Sequence, residues 1–430
     1  MLSERLCDPA EWETFFAYRA EGNRMTAPEE ADLRRFIDGR EYEEPVRRLL
    51  SGNPGVIPVK KRIRKTGTDK KRVVYLYPRA ENYVFKLLTF LMTREYDDLS
   101  SDCLFSFRAN YGVCRAMRRL LSTPGIRQKY SYKADISDYF NSIPIERMLD
   151  VLKGIFLDSA RYEPELYAMF EAILTDCRVW DNGTIVEEKK GVMAGTPFAV
   201  FFANRYLDCM DREIGSAPSF VYARYSDDII LFADSEEKRE EGAARVCAIL
   251  EENGLTVNGA KEFRTAPGEM WTFLGFSYEN GTVDVAPISK EKLKAKIRRK
   301  ARAIKRWQVK KKAPPENAVK AFIRKLNRKF FDADPDRELT WSRWYFPVIT
   351  TDRTLKELDR YTQDWIRFLA TDRHSAKKYG FRYGKMKELG YLSLVHAWYA
   401  GRDLKQRAEP GSDDRTEKGA VLSASAKRER

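Results

Sequence analysis

The sequence predicts an α+β fold, and three observations carry that expectation. Phe220 to Asp234 has two short apolar runs meeting at Tyr225-Ser226-Asp227-Asp228, the pattern of two strands joined by a tight turn. Val56 to Pro78 has the same strand–turn–strand form but is crowded with Lys and Arg. Amphipathic helical stretches fill most of the remainder, among them a Lys/Arg-rich one from Ser289 to Lys312.

Composition narrows the function. The chain has 430 residues, with 78 Lys+Arg against 64 Asp+Glu, a net charge of +14 that favours a polyanionic partner, nucleic acid first. Six separated cysteines without a CxxC pair give neither a zinc site nor a disulfide framework. With only two histidines, any metal is expected to be a hard ion on carboxylate oxygens. No apolar run approaches a membrane span and the first residues do not read as a signal peptide, so the expectation is a cytoplasmic protein with no membrane partner.

In chain order, residues 9 to 51 read as helical packing elements, with a helix start at Thr26-Ala27-Pro28. The basic hairpin follows, turning at Thr66-Gly67-Thr68-Asp69; it holds cations in fixed places, as a triphosphate or a nucleic-acid backbone requires. Helices are expected from Glu81 to Tyr96 and from Arg115 to Leu121. Tyr132 to Ile136 reads as a strand that delivers Asp135 near its end, with Tyr139-Phe140 close behind. An Asp in an apolar strand needs a partner, a helix cap or salt bridge as readily as a metal. Gly191, Gly195, Thr196 and Pro197 form a loop before an aromatic-rich helix, its glycines permitting close backbone approach to a ligand. The Asp227-Asp228 pair is next; adjacent carboxylates between buried strands repel each other and call for a cation. A helix over Glu236 to Asn253, a segment leading to Lys261, a hairpin turning at Glu279-Asn280-Gly281 and further helices over Asn317 to Phe330 and Asp352 to Ala370 complete the chain. Trp341, Trp344, Tyr345 and Phe346 read as core. From about Asp403 the sequence is polar and expected to be disordered.

Taken in order, these stretches resemble the palm of reverse transcriptases. Asp135-Ile136-Ser137-Asp138-Tyr139-Phe140 is similar to motif A, Gly195-Thr196-Pro197 to motif B, and Tyr225-Ser226-Asp227-Asp228 to motif C. Lys65 through Tyr77 looks like the fingers hairpin, Phe105-Ser106-Phe107-Arg108 like the family's Ser-Phe-Arg segment, Leu255-Val257-Asn258-Lys261 like motif D, and Phe273-Leu274-Gly275-Phe276 like the primer grip. The likeness covers about residues 55 to 285. It implies a right-hand polymerase: an N-terminal helical region over 1–54, fingers over 55–125, and a ferredoxin-like palm over 126–285 with a finger insertion at about 145–190. A helical thumb over 286–372 and a C-terminal extension over 373–430 follow.

The resemblance implies RNA-directed DNA synthesis from dNTPs on a primer or cDNA strand. Asp135 and Asp227 would bridge two Mg²⁺ ions, with Asp228 a weaker or structural ligand. Lys65 and Arg72, with Lys71 an alternative, would hold the triphosphate, Phe140 would exclude a 2′ hydroxyl, Lys261 would protonate pyrophosphate, and Tyr225 would neighbour the primer end. Two positions depart from the family: Ala194 stands where motif B usually has Gln, and a Ser usual after the Pro is replaced near Ala199. The stretch from Trp344-Tyr345-Phe346-Pro347 through Leu355-Leu358-Asp359, and Gly390-Tyr391-Leu392-Ser393-Leu394-Val395, look like the C-terminal region of the "unknown group" of bacterial, defence-associated reverse transcriptases. That likeness implies antiphage defence and a partner noncoding RNA as template. A template-independent DNA polymerase of the abortive-infection type and a non-catalytic, palm-derived RNA-binding protein are the alternatives.

Overall fold

The computed structural model describes residues 1–21, 25–52, 55–64, 71–331, 340–372 and 379–408. The expected hairpin turn with Lys65, and the last residues beyond 408, lie outside them.

Helices Pro9–Ala20, Ala27–Asp38 and Glu43–Leu50 pack around Trp12, which stacks on Tyr42 with ring centroids 4.8 Å apart. The expected start at Thr26 is there: its hydroxyl accepts from the Glu29 N–H at 3.1 Å and caps the helix. β1 (Val59–Arg64) and β2 (Lys71–Leu76) form the antiparallel basic hairpin. They continue into a sheet that the sequence reading did not foresee. β4 (Arg178–Asp181) and β5 (Thr184–Glu187) join it in the order β2-β1-β4-β5, with Val59 opposite Trp180.

The central sheet has the order β6-β7-β3-β8, built from β3 (Tyr130–Asp135), β6 (Val221–Tyr225), β7 (Asp228–Ala233) and β8 (Phe263–Thr265). Five consecutive residues of β7, Ile229 to Ala233, are buried, because both faces of the strand are covered. Ile229 and Leu231 enter one hydrophobic core with Tyr132, Ala134 and helix Glu236–Glu252. Ile230 and Phe232 enter the other with Trp271, Phe273 and helix Val113–Leu121. The two-residue period of a strand thus makes one sheet the wall between two cores.

β9 (Trp271–Phe273), β10 (Phe276–Glu279) and β11 (Thr282–Val285) form a third, antiparallel sheet that feeds helix Pro287–Lys311. That helix packs with Pro315–Phe330 and Arg353–Thr371 as a three-helix bundle. The C-terminal segment docks onto this bundle rather than standing apart from it. The buried Asp359 carboxylate accepts from the Tyr391 and Ser393 hydroxyls at 2.8 and 2.6 Å and from the N–H groups of Leu394 and Val395 at 3.0 and 3.1 Å. Helix Leu394–Ala408 runs past Asp403, where the sequence suggested that order would end. The architecture is an α+β polymerase fold.

Candidate active site

Three chain segments converge at one end of the central sheet. Asp135 ends β3 and lies opposite Asp228, the first residue of β7. The Ile136 N–H donates to the Asp227 carbonyl at 3.1 Å, and the Asn258 N–H donates to the Asp135 carbonyl at 2.7 Å. Backbone bonds therefore fix the Asp-bearing strand ends and the residue 258 segment against one another.

Under the turn lies a buried polar network. Ser226 has a φ of 60°, and its N–H donates to the Ser106 hydroxyl at 2.9 Å. That hydroxyl donates to Asn204 Oδ1 at 3.0 Å. Arg224, fully buried on β6, gives Nε to Asp211 at 2.7 Å and Nη2 to the Asn204 carbonyl at 3.0 Å, while Tyr222 donates to the same Asp211 at 2.9 Å. A buried guanidinium with a bidentate carboxylate and carbonyl partners is satisfied, so this network is a rigid support. The sequence reading missed Arg224, Asp211 and Asn204; a charged residue in the apolar run Phe220–Tyr225 was the available signal. Arg108 of the Ser-Phe-Arg segment is spent on Asp97 at 2.7 Å and on the Ser101 carbonyl at 2.7 Å.

The carboxylates are unequal. Burial first, and then the neighbouring Asp135, push the Asp227 carboxyl up, with Lys261 and Arg72 opposing. Asp228 is pushed up to about 6, chiefly by burial, and Lys133 opposes most, its ammonium 3.9 Å away. Asp135 meets Lys261 Nζ at 2.6 Å and Asn258 Nδ2 at 3.2 Å. So Asp135 and Asp227 face one another electrostatically, while Asp228 leans towards Lys133. Among the described residues no three His, Cys, Asp or Glu side chains form a ready cage for a metal. A converging pair of hard carboxylates nonetheless fits Mg²⁺, which takes one or two carboxylates and completes its shell with waters and substrate phosphates.

The remaining candidates fall around this pair. Arg72 is exposed on β2, on the same face as Val74 and opposite Ile63, and its charge acts on Asp227. Much of the rest of the basic hairpin is neutralised: Lys60 pairs with Glu188, and Arg62 forms a bidentate pair with Asp181 at 2.8 and 2.6 Å. Phe140 is half-buried in helix Tyr139–Ser142, its carbonyl accepting from the Val192 N–H at 2.8 Å. Asn141 Oδ1 accepts from the Ala194 N–H at 3.1 Å, so residues 191–194 are laced to the segment after Asp135. Gly195, expected to approach a ligand, has a φ of +101° and approaches β2: a Cβ there would lie 2.9 Å from the Val74 Cβ. The Tyr75 N–H donates to the Ala194 carbonyl at 2.8 Å and completes that junction. Tyr225 is half-buried between Phe107 and Trp344, with centroid distances of 6.5 and 6.4 Å. Trp344 in turn donates to the Leu274 carbonyl at 3.1 Å.

Comparison with known proteins adds an independent finding. A family model described as "Reverse transcriptase (RNA-dependent DNA polymerase)" matches residues 63–278. No curated protein matches the sequence. Among solved structures, apo telomerase from Candida tropicalis truncated of its C-terminal domain has a TM-score of 0.43 at 14% identity, over 53% of this chain and 55% of that one. The untruncated apo telomerase of that species gives 0.46 at 9% identity, over 77% of this chain and 59% of that one. Candida albicans telomerase with a fragment of telomeric RNA gives 0.42 at 11% identity, over 79% of this chain and 67% of that one. The chain thus spans less than two thirds of the first two of these.

Proposed function

Because the chain belongs to the reverse transcriptase (RNA-dependent DNA polymerase) family, we propose that Asp135 and Asp227 hold two Mg²⁺ ions at which deoxynucleotides are joined to a primer on an RNA template. The observation that carries this reading is the backbone bond from Ile136 to Asp227 at 3.1 Å, which brings a strand-end Asp beside the turn Asp, with the charge of Arg72 acting on Asp227. Bound Mg²⁺ supplies Lewis-acid polarisation of phosphate oxygens and a lowered pKa for the primer hydroxyl.

The chain's own residues supply the rest. Arg72 forks onto the triphosphate oxygens, with Lys65 its proposed companion outside the described residues. The Phe140 ring stands against the ribose and excludes a 2′ hydroxyl. Lys261 neutralises Asp135 at 2.6 Å, and it carries a proton it can give to the leaving pyrophosphate. Gly195 keeps β2, the strand that carries Arg72, against the loop before helix Ala199–Tyr206. Asp228, nearer Lys133, acts as the weaker ligand.

We extend the proposal to a noncoding RNA as template and to a cytoplasmic role in antiphage defence. The support is the likeness of the Trp344–Asp359 and Gly390–Val395 stretches to the defence-associated group. One observation favours a second reading, template-independent DNA synthesis: Ala194 offers no side-chain amide, and both its backbone groups are committed, to Asn141 and to Tyr75.

Extension of labelled dNTPs by the purified protein with its copurified RNA distinguishes the two. Products complementary to that RNA are expected, and incorporation indifferent to template sequence selects the second reading. Asp227→Ala is expected to abolish incorporation; retained activity removes the assignment. Phe140→Ala is expected to admit NTPs, and unchanged dNTP/NTP selectivity counts against the gate.

A further inference from the structure

At the outer part of the three-helix bundle, helices Pro287–Lys311 and Pro315–Phe330 enclose an open groove of about 610 Å³. Its floor holds Ala303, Ile304 and Ala321, small or aliphatic side chains. Its rims carry Lys300, Lys320, Arg324 and Lys325, and Trp307 stands on the edge with 44% of its surface exposed.

Two features together mark this groove. First, most of its rim charge is uncompensated. Lys320 pairs with Glu316 at 2.8 Å, whereas Lys300, Arg324 and Lys325 have no ion-pair partner among the described residues. Elsewhere on the same helix Lys290 and Lys294 share Glu357, and Lys305 reaches Asp372 at 3.1 Å. Lys300 sits beside Lys325; partial burial and that second ammonium both push its amine down. Such a pair gains most from an anion between its members. Second, a large indole is left in water next to those cations, on a groove with an apolar floor. Lone exposed aromatics are ordinary, but one among unpaired cations is the pairing that single strands use, a π face for a base and charges for its phosphates.

We propose that this groove is a second nucleic-acid site, taking a single-stranded segment with one base stacked on Trp307 and its neighbouring phosphates on Lys300, Arg324 and Lys325. A duplex is a poorer occupant, because its base faces are already stacked. An acidic peptide would satisfy the cations and leave the indole unused. None of the groove's lining residues belongs to the carboxylate site, and Trp307 lies about 30 Å along its helix from Pro287 beside β11. The groove therefore serves a strand entering or leaving the polymerase, RNA or DNA. The choice of ligand class rests on the function proposed above, but the groove itself does not.

The test uses the full chain and fluorescein-labelled oligo(rU) and oligo(dT) across a salt series, beside extension of a short preannealed primer–template. Trp307→Ala is expected to weaken single-strand binding roughly 5- to 150-fold, the effect of losing one base stack. Trp307→Phe is expected to restore most of it, and short-duplex extension is expected to stay unchanged. Lys300→Gln with Lys325→Gln is expected to lower the slope of log K against log salt by about 1.4, for two single-strand phosphates. The preferred oligonucleotide, rU or dT, tells which strand the site serves. Unchanged binding in Trp307→Ala overturns the proposal, as does inorganic polyphosphate competing equally against wild type and variant. An inactive polymerase whose strand binding still depends on Trp307 overturns the function proposed above and leaves the groove standing.

Discussion

The Ser106 hydroxyl sits between the N–H of Ser226 at 2.9 Å and Asn204 Oδ1 at 3.0 Å, beneath a turn whose residue Ser226 is held at a positive φ. Ser106→Ala leaves both groups buried without a partner, which costs about 1–3 kcal/mol. The turn then loses the bond that sets the position of Asp227. The expected outcome is a lower denaturant midpoint and a several-fold drop in kcat with KM for dNTP little changed; an equal rise in KM would place the effect on nucleotide binding instead. Asp228 gives a second prediction at this scale. Its folded pKa, about 6, lies above the ordinary 3.8, so the folded state binds the proton more tightly than the unfolded chain does. The stability this gives is full below pH 3.8 and is lost as pH rises through about 6. In chelator, Asp228→Asn should therefore raise the melting temperature at pH 7.5 and make it less sensitive to pH between 4 and 7. A melting profile that keeps the wild-type pH dependence would assign the penalty to another group.

Two glycines join the elements of the site, and they differ in what a methyl would meet. At Gly191, with a φ of +54°, a Cβ would lie 2.6 Å from the Asn141 carbonyl carbon and closer still to the Phe140 carbonyl oxygen; both are backbone and cannot step aside. At Gly195 the nearest atom is the Val74 Cβ at 2.9 Å, on a hairpin that ends at the sheet's edge. Gly191→Ala should thus cost more stability than Gly195→Ala, each strained position adding about 1–3 kcal/mol. Gly195→Ala should act mainly on KM for dNTP, since it pushes on the strand carrying Arg72. Equal effects of the two in melting and kinetics would contradict this division. The sequence placed these elements well where a two- or 3.6-residue period was long, as in β7 and helix Glu236–Glu252. It announced the loop of Gly191 and Gly195, but not that the second glycine faces a strand more than a hundred residues earlier, because that contact is set by tertiary packing. The β4–β5 hairpin was passed over although Asp181-Asn182-Gly183 is a strong turn signal, with Asn182 and Gly183 both at positive φ. Its strands are only four residues each, too short to show alternation. Arg224 stands out locally as a charge in the apolar run Phe220–Tyr225, but its partner Asp211 lies on a separate helix, so the sequence does not show what pairs with it.

At the scale of the molecule, the question is how the helical bundle is held to the central sheet, the junction along which the proposed function would pass primer and template. One contact set spans the junction. Trp344 donates to the Leu274 carbonyl at 3.1 Å and packs edge-on to Tyr225, two residues before Asp227. Next to it Tyr345 fills the space over Gly275, where a Cβ would lie 2.6 Å from its hydroxyl oxygen, and Gly275 keeps a φ of +87°. The β9–β10 turn is therefore locked to the bundle by two neighbouring aromatic side chains, and the bundle reaches the carboxylate turn through Tyr225. Trp344→Ala removes the bond and the ring but leaves Tyr345 and the β9–β10 hydrogen bonds in place, so the fold should persist at a cost of about 3–5 kcal/mol at most, the range for a buried Trp. A looser bundle raises dissociation between cycles without touching the groups that act within one. Single-nucleotide addition on a preformed primer–template should then proceed near the wild-type rate, while the mean product length in the presence of a trap falls severalfold. Were single addition to fall as steeply as product length, Trp344 would belong to the carboxylate turn through Tyr225 rather than to the junction.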